Sequence, residues 1–308
     1  MDEYVLGVDA GGTKTLALLA TRGGEIIGRG QAGPGNLHRV GFAAASRAVA
    51  EAVRAAFVAA GKSPAMVAAL CIGAAGAARA DEIEVWTAWC ASAGIARQVC
   101  VVCDADLVIA AALDRSPGIV VIGGTGSIAF AQDVEGRRFR VGGWGYIIDD
   151  QGGAYDIARR ALCAVLRAYD GRGPATALTP AILAAYNCVE PPELVRQVYA
   201  PDVDRRQLAQ LAMVVDQTAR AGDPVARSIM DHAADELAWL TVTAARAAGL
   251  DGRVRCGLAG GVLLHSEQVR DRWAAQVCTR KIIPEPTILV DEPARGAVLL
   301  ADRLCQVG

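Results

Sequence analysis

Three times this 308-residue chain runs an apolar strand pattern into a pair of glycines. The segments are Val8-Asp9-Ala10-Gly11-Gly12-Thr13-Lys14-Thr15, Ile122-Gly123-Gly124-Thr125-Gly126-Ser127 and Leu258-Ala259-Gly260-Gly261. A strand that ends on two residues without Cβ can turn sharply and face successive backbone N–H groups inward, which makes a cradle for an anion. One such pair is an ordinary tight turn. Three of them, two carrying hydroxyls and one an acid, point to phosphate. Thr13, Thr125 and Ser127 add hydroxyl donors. Lys14 adds a positive charge, in a chain with only two other lysines, Lys62 and Lys281. Asp9, at a strand's end, is a candidate to hold Mg2+ through water.

The pattern around these turns is α/β. Strands are expected at 4–9, 15–20 and 25–30, then a helix at 42–60, where Val49, Val53 and Phe57 recur on one face. Strand 67–73, helix 82–93, strand 99–103 and helix 106–113 alternate, which calls for parallel strands joined by crossover helices. Ser116-Pro117-Gly118 reads as a linker. Beyond it the design restarts, with strands at 119–122, 128–132 and 138–142. Helices follow at 153–168, 178–186, 205–221 and 225–248, then a strand at 254–259 and helices at 266–277 and 294–305. Two halves that each open strand, glycine turn, strand imply an architectural duplication without repeated sequence. The expected domains are 1–114 and 115–293, with the C-terminal segment 294–308 packing back on the first.

Composition narrows the function. With 31 basic and 33 acidic residues the formal charge is −2, which argues against a nucleic-acid-binding surface. Met1-Asp2-Glu3 is acidic where a signal peptide would be basic, and no apolar run reaches the ~18 residues of a spanning helix. No membrane partner is expected. Nine scattered cysteines read as reduced thiols in a cytoplasm. Cys100-Val101-Val102-Cys103 lacks the second pair of a zinc ribbon, and on a strand its thiols point to opposite faces. Gly61-Lys62-Ser63 ends like a P-loop but has Ala56 at the loop's first glycine. Gly28-Arg29-Gly30-Gln31-Ala32-Gly33 matches a dinucleotide fingerprint yet leads into Pro34-Gly35-Asn36 and not a helix.

Taken in order, 9–15 (DAGGTKT), 121–127 (VIGGTGS) and 257–261 (GLAGG) resemble the two phosphate motifs and the adenosine motif of the actin-like ATPase and sugar kinase superfamily. The stretch 142–155, GGWGYIIDDQGGAY, resembles the GGWG…GDEGS-x-Y signature of the N-acetylglucosamine and bacterial glucosamine kinases within the BadF/BadG/BcrA/BcrD ATPase family. The resemblance spans essentially the whole chain. It implies two α/β domains of the ribonuclease H-like, actin-like kind flanking a nucleotide cleft, with ATP and Mg2+ as cofactors and a homodimeric assembly.

Residue by residue, the resemblance places ATP on Gly11, Gly12, Thr13, Lys14, Thr125, Gly126, Ser127, Gly260 and Gly261. It places the amino sugar on Asn36, Gly143, Trp144, Gly145 and Asp150, and makes Asp104 the catalytic base that takes the proton of the 6-hydroxyl. On residues alone, an N-cap for helix 106–113 is the lesser alternative for Asp104, because Asp106 is better placed for that. Asn36 is equally a turn former after Pro34-Gly35. Asp149 and Gln151 depart from the glycine and glutamate of the animal kinases. The activity implied is N-acetylglucosamine phosphorylation, with glucosamine kinase as the alternative. A further alternative is a BadF/BadG-type ATPase that activates a 2-hydroxyacyl-CoA dehydratase, whose cysteine-bearing segment has no counterpart here.

Overall fold

A computed structural model describes residues 4–74 and 80–306; the acidic start, Met1–Glu3, lies outside them. The chain divides into two compact units, Met1–Arg115 with Glu292–Gly308, and Ser116–Asp291.

The first unit opens with an antiparallel meander, β1 (Tyr4–Ala10), β2 (Thr15–Thr21) and β3 (Ile26–Ala32). The short α1 (Leu37–Val40) and the long α2 (Phe42–Ala59) follow. Next come β4 (Val67–Ala74), α3 (Ala80–Ser92), β5 (Ala96–Cys103) and α4 (Asp104–Leu113). The sheet order is β3-β2-β1-β4-β5, with β1, β4 and β5 parallel. The inner strand β4 (VAALCIGA), between β1 and β5, is buried at every position, as expected of a parallel strand covered on both faces.

On one face, α2 lies directly on β3. A Cβ on Gly30 would stand 2.0 Å from the Ala52 carbonyl oxygen, and one on Gly28 2.1 Å from that of Ala56, so the glycines permit a backbone-to-backbone approach. This explains why the 28–33 run has dinucleotide spacing without a nucleotide role. The C-terminal helix, α13 (Ala294–Leu304), packs on β1 and α4 on the other face. There Gly296 sits against the Leu107 carbonyl, 1.9 Å from its would-be Cβ.

The second unit repeats the plan. β6 (Gly118–Gly123), β7 (Ser127–Gln132) and β8 (Arg138–Gly142) form its meander. A helical stretch follows: α5 (Ala154–Tyr169), α6 (Leu178–Tyr186), α7 (Glu193–Val198), α8 (Arg205–Ala209), α9 (Leu211–Arg220) and α10 (Pro224–Ala247). β9 (Gly252–Ala259), α11 (Gly261–His265), α12 (Glu267–Cys278) and β10 (Ile282–Val290) complete it. The order β8-β7-β6-β9-β10 matches β3-β2-β1-β4-β5 strand for strand, with the same parallel and antiparallel pairings. The core gathers around α10, where buried Trp273 donates its indole N–H to Thr241 Oγ1 at 2.8 Å.

One expectation needs correction, and one strand went unread. The single helix at 205–221 is two, α8 and α9, parted at Gln210. The segment 282–290 is an edge strand, paired to β9 across an irregularity between Pro284 and Thr287, and its prolines mask the strand pattern. Among the described residues no helix is long and apolar enough to cross a membrane.

Candidate functional site

In the first unit the turn after β1 is closed by the Gly11 N–H on the Lys14 carbonyl at 3.0 Å, with Thr13 and Lys14 exposed. The Gly11 carbonyl accepts from the N–H groups of Gly35 (2.9 Å) and Asn36 (3.1 Å), so the loop after β3 is bonded straight onto the phosphate-type turn. Thr15, fully buried, fixes that loop through its hydroxyl on the Gly33 carbonyl at 2.8 Å. Gly35 has to be glycine: a Cβ there would lie 2.6 Å from Thr15 Oγ1 and 2.9 Å from Ala10 Cβ. Asn36 caps α1, its Oδ1 accepting from the His38 N–H at 3.0 Å. Arg39, which the sequence did not mark, also joins, its Nη1 donating to the Gly12 carbonyl at 2.5 Å, and His38, read from the sequence as a surface or packing histidine, meets the buried Glu82 carboxylate through Nε2 at 2.8 Å.

Asp104 is the first residue of α4, at the C-terminal end of β5, and is exposed. Asp106, not Asp104, supplies the capping box, accepting the Cys103 N–H at 3.1 Å. Asp104 Oδ1 takes the Ala105 N–H at 2.9 Å. The carboxylate is near enough to Asp9 to act on it electrostatically. Burial pushes the Asp9 carboxyl up to about 6; the Asp104 charge adds to the rise and Lys14 opposes it. Asp9, Gly11, Lys14, Asn36 and Asp104 thus belong to one sheet edge, the C-terminal one, where α/β sheets place their ligands.

In the second unit the turn after β6 is closed by the Gly124 N–H on the Gly126 carbonyl at 2.9 Å. The carbonyls of Gly124 and Thr125 accept from the Ala154 (2.8 Å) and Tyr155 (3.0 Å) N–H groups, which docks the start of α5 on the turn. The Ser127 hydroxyl, read from the sequence as a phosphate donor, is instead engaged with the Gln151 carbonyl at 2.6 Å. Gly260, at φ +85°, lies against Gly123, whose carbonyl would be 2.5 Å from a Cβ. The two glycine pairs of this unit are therefore neighbours. Beside them opens a cavity of about 630 Å3, whose lining includes Gly124, Thr125, Gly261, Ile157, Met213 and Met230.

The third part of this unit's constellation is the turn after β8. Gly142, Gly143 and Gly145 have φ of +74°, +74° and +105°, a left-handed path that glycine alone follows freely. Asp149 Oδ2 accepts the Trp144 N–H at 3.1 Å, so this departure from the animal kinases closes the turn. Asp150 also has positive φ (+64°), and its carboxylate accepts from the Gly145 N–H at 3.4 Å. Burial raises its proton affinity and the Gly145 hydrogen bond opposes the rise. Gly126 makes room for it: a Cβ there would be 2.2 Å from Asp150 Oδ2. Trp144 is 66% exposed and belongs to no core. Of the residues proposed for sugar contact, Asp150 is thereby brought against the Thr125–Ser127 turn, and Gly145 is tied to it through the Asp150 carboxylate.

Cys100 and Cys103 do not form a unit. The partner of Cys100 is Cys71, opposite it in the β4–β5 register, and their shared hydrogen bond lowers the Cys100 thiol to about 7 while raising Cys71. Burial pushes Cys103 up to about 11. Among the described residues no three His, Cys, Asp or Glu side chains gather as a metal site.

The profile of the BadF/BadG/BcrA/BcrD ATPase family matches residues 6–301. The chain belongs to that family. Among its relatives, the N-acetylmuramic acid/N-acetylglucosamine kinase of Clostridium acetobutylicum is 30% identical, over 98% of this chain and 99% of that protein. The N-acetyl-D-glucosamine kinase of Dictyostelium discoideum is 27% identical, over 97% and 98% respectively. A crystal structure described as an N-acetylglucosamine kinase candidate from Chromobacterium violaceum superposes with a TM-score of 0.79 at 27% identity, covering 97% of this chain and 99% of that one. The duplicated five-stranded unit of this BadF/BadG-family member is the actin-like ATPase fold that the glycine motifs implied.

Proposed function

We propose that the protein transfers the γ-phosphoryl group of ATP to the 6-hydroxyl of N-acetylglucosamine, with glucosamine as the alternative acceptor. One juxtaposition supports the reading above the others: the Gly11 carbonyl holds the Asn36 backbone on the phosphate-type turn, while Asp9 and Asp104 stand at the same sheet edge. An acceptor contact, a phosphate cradle and a candidate base are assembled from one unit's loops.

Phosphoryl transfer asks for charge neutralisation, an aligned hydroxyl and a proton acceptor. Backbone N–H groups of Gly12 and Thr13 and of Thr125 and Gly126, with the Thr13 and Thr125 hydroxyls and Lys14, would face the phosphates. The cavity beside Gly260 and Gly261, with Ile157, Met213 and Met230 among its lining, would take the adenine ring. Asn36, the Gly143 and Gly145 backbone, Trp144 and Asp150 would hold the sugar. Oxygen 6 then bonds to the γ-phosphorus as the bond to the β-phosphate oxygen breaks, ADP leaves, and the proton of the hydroxyl passes to the Asp104 carboxylate. Two carboxylates at one edge, one of them held near pH 6 by burial and its neighbour, suit a divalent cation. Asp9 would hold Mg2+ through water, and the ion would neutralise phosphate charge.

A coupled ADP-release assay over N-acetylglucosamine, glucosamine, N-acetylmuramic acid and glucose tests the reading, with phosphorus–proton coupling in the product NMR spectrum reporting the position phosphorylated. Sugar-dependent ADP release with an amino sugar and coupling to the C6 protons is expected. Release that no sugar stimulates would overturn it. A homodimer belongs to the same reading, and light scattering should return the mass of two chains.

A further inference from the structure

Arg140 is the third residue of β8, facing solvent on a strand whose exposure alternates. Its guanidinium makes three separate contacts with the turn that follows. Nε donates to the Gly142 carbonyl at 3.2 Å, Nη2 to the Gly143 carbonyl at 2.6 Å, and the cation lies 4.5 Å from the centroid of the Trp144 ring. From the opposite side Asp149 holds the Trp144 N–H, and the Gly145 carbonyl accepts the Asp149 N–H at 2.8 Å. A turn with three glycines at positive φ has little conformational restraint of its own. A ring as exposed as Trp144 has no core to fix it either. The restraint comes from this brace, and Arg140 contributes the ring contact.

We propose that Arg140 is a positioning residue for the acceptor: it fixes the Gly142–Gly145 backbone and the plane of the Trp144 ring so that both meet the sugar in one geometry. The inference rests on the reading of Gly143–Gly145 and Trp144 as sugar contacts. It adds a residue outside the glycine signature, two positions before it. A lysine cannot replace it fully, because a single ammonium cannot lie over the ring and donate in fork geometry to two carbonyls together.

The test is steady-state kinetics of wild type, Arg140→Ala, Arg140→Lys, Trp144→Ala and the Arg140→Ala/Trp144→Ala double variant. Arg140→Ala should raise the KM for the amino sugar about tenfold, the combined loss of a cation–π contact and hydrogen bonds, while kcat and the KM for ATP stay within about twofold. Arg140→Lys should fall between. In the double variant the rise should be smaller than the product of the two single effects, since Arg140 acts partly through Trp144. The Trp144 fluorescence, taken as the difference between a protein and its Trp144→Phe counterpart, should shift when Arg140 is replaced, with no sugar present. Unchanged sugar KM in an active Arg140→Ala enzyme overturns the inference, as does a fall in kcat and rise in ATP KM of equal size, which would mark a general structural role. A wild type inactive on every amino sugar overturns the parent reading, and the positioning role with it.

Discussion

Asp9 and Asp104 repel each other at the C-terminal edge of the first sheet. Burial raises the proton affinity of Asp9 from 3.8 to about 6, and the Asp104 charge takes part in that rise. A group whose folded value lies above its unfolded one favours folding at pH below about 4 and loses that contribution as pH rises through 6. At neutral pH the ionised Asp9 therefore costs stability, up to roughly 3 kcal/mol at about 1.4 kcal/mol per unit. Asp9→Asn should be more stable than wild type in urea at pH 7.5 and lose the advantage by pH 4. The same midpoint difference at both pH values would exclude this origin. If Asp9 works ionised, wild-type turnover should also fall as the pH is lowered through about 6.

The same pair separates binding from chemistry. Asp104 is exposed, and the capping of α4 falls to Asp106, so Asp104→Asn removes no bond on which the fold depends. General-base assistance is worth about 10²–10⁴ in rate. Asp104→Asn should lose turnover by that order with a melting temperature no lower than that of wild type, since it also relieves the repulsion on Asp9, and with unchanged ATP affinity by calorimetry. Turnover within tenfold of wild type would take the base role from Asp104.

These two carboxylates could be found in the sequence because each ends a strand, and a strand end is marked by the apolar run before it. The duplicated plan of the two units was open to reading as far as the opening strand and glycine turn of each half, though not the order of the strands in either sheet. Other features carry no local mark. β10 has prolines at 284 and 286 that break its alternation, and only its edge position makes them tolerable. The break at Gln210 interrupts an apolar pattern that continues across it. α1, α7 and α11 are too short to show a helical period. Ser127 looks like a phosphate donor beside Gly126, yet the residue that claims its hydroxyl, Gln151, is 24 positions away. Arg140 is one of many arginines until the turn folds back under its guanidinium. Backbone path is written locally by glycine and apolar period; side-chain partners are decided by what tertiary packing brings near.

Two tryptophans show how far burial separates roles. Trp273 is 1% exposed with its indole N–H bonded to Thr241, and Trp144 is 66% exposed with one arginine over its ring. Truncating a buried aromatic removes its packing and leaves a cavity, about 3–5 kcal/mol. Trp273→Ala should therefore lose that much in urea unfolding, leaving little soluble protein at 37 °C. Trp144→Ala should cost under about 1 kcal/mol, the size of an exposed cation–π contact, while weakening amino-sugar binding. A Trp144→Ala protein that melts early with normal sugar KM would reverse the assignment and make the ring a structural one.

Gly126 and Asp150 give the sharpest test of how the second unit's turns depend on each other. Gly126 carries no positive φ, so alanine would suit its backbone; the obstacle is the Asp150 carboxylate, 2.2 Å from the new Cβ. Overpacking of that kind costs about 1–3 kcal/mol. Asp150 is itself held at φ +64°, a conformation that costs a non-glycine residue about 1 kcal/mol and that its hydrogen bond from Gly145 helps to offset. Gly126→Ala should thus destabilise the protein and abolish sugar phosphorylation together. Combining it with Asp150→Gly removes both the clash and the unfavourable φ, so stability should return to within about 1 kcal/mol of wild type. Phosphorylation should not return, because the carboxylate meant for the sugar is gone. Recovery of activity in the double variant would show that Asp150 serves only the turn, and failure to recover stability would show that the alanine methyl meets something other than Asp150.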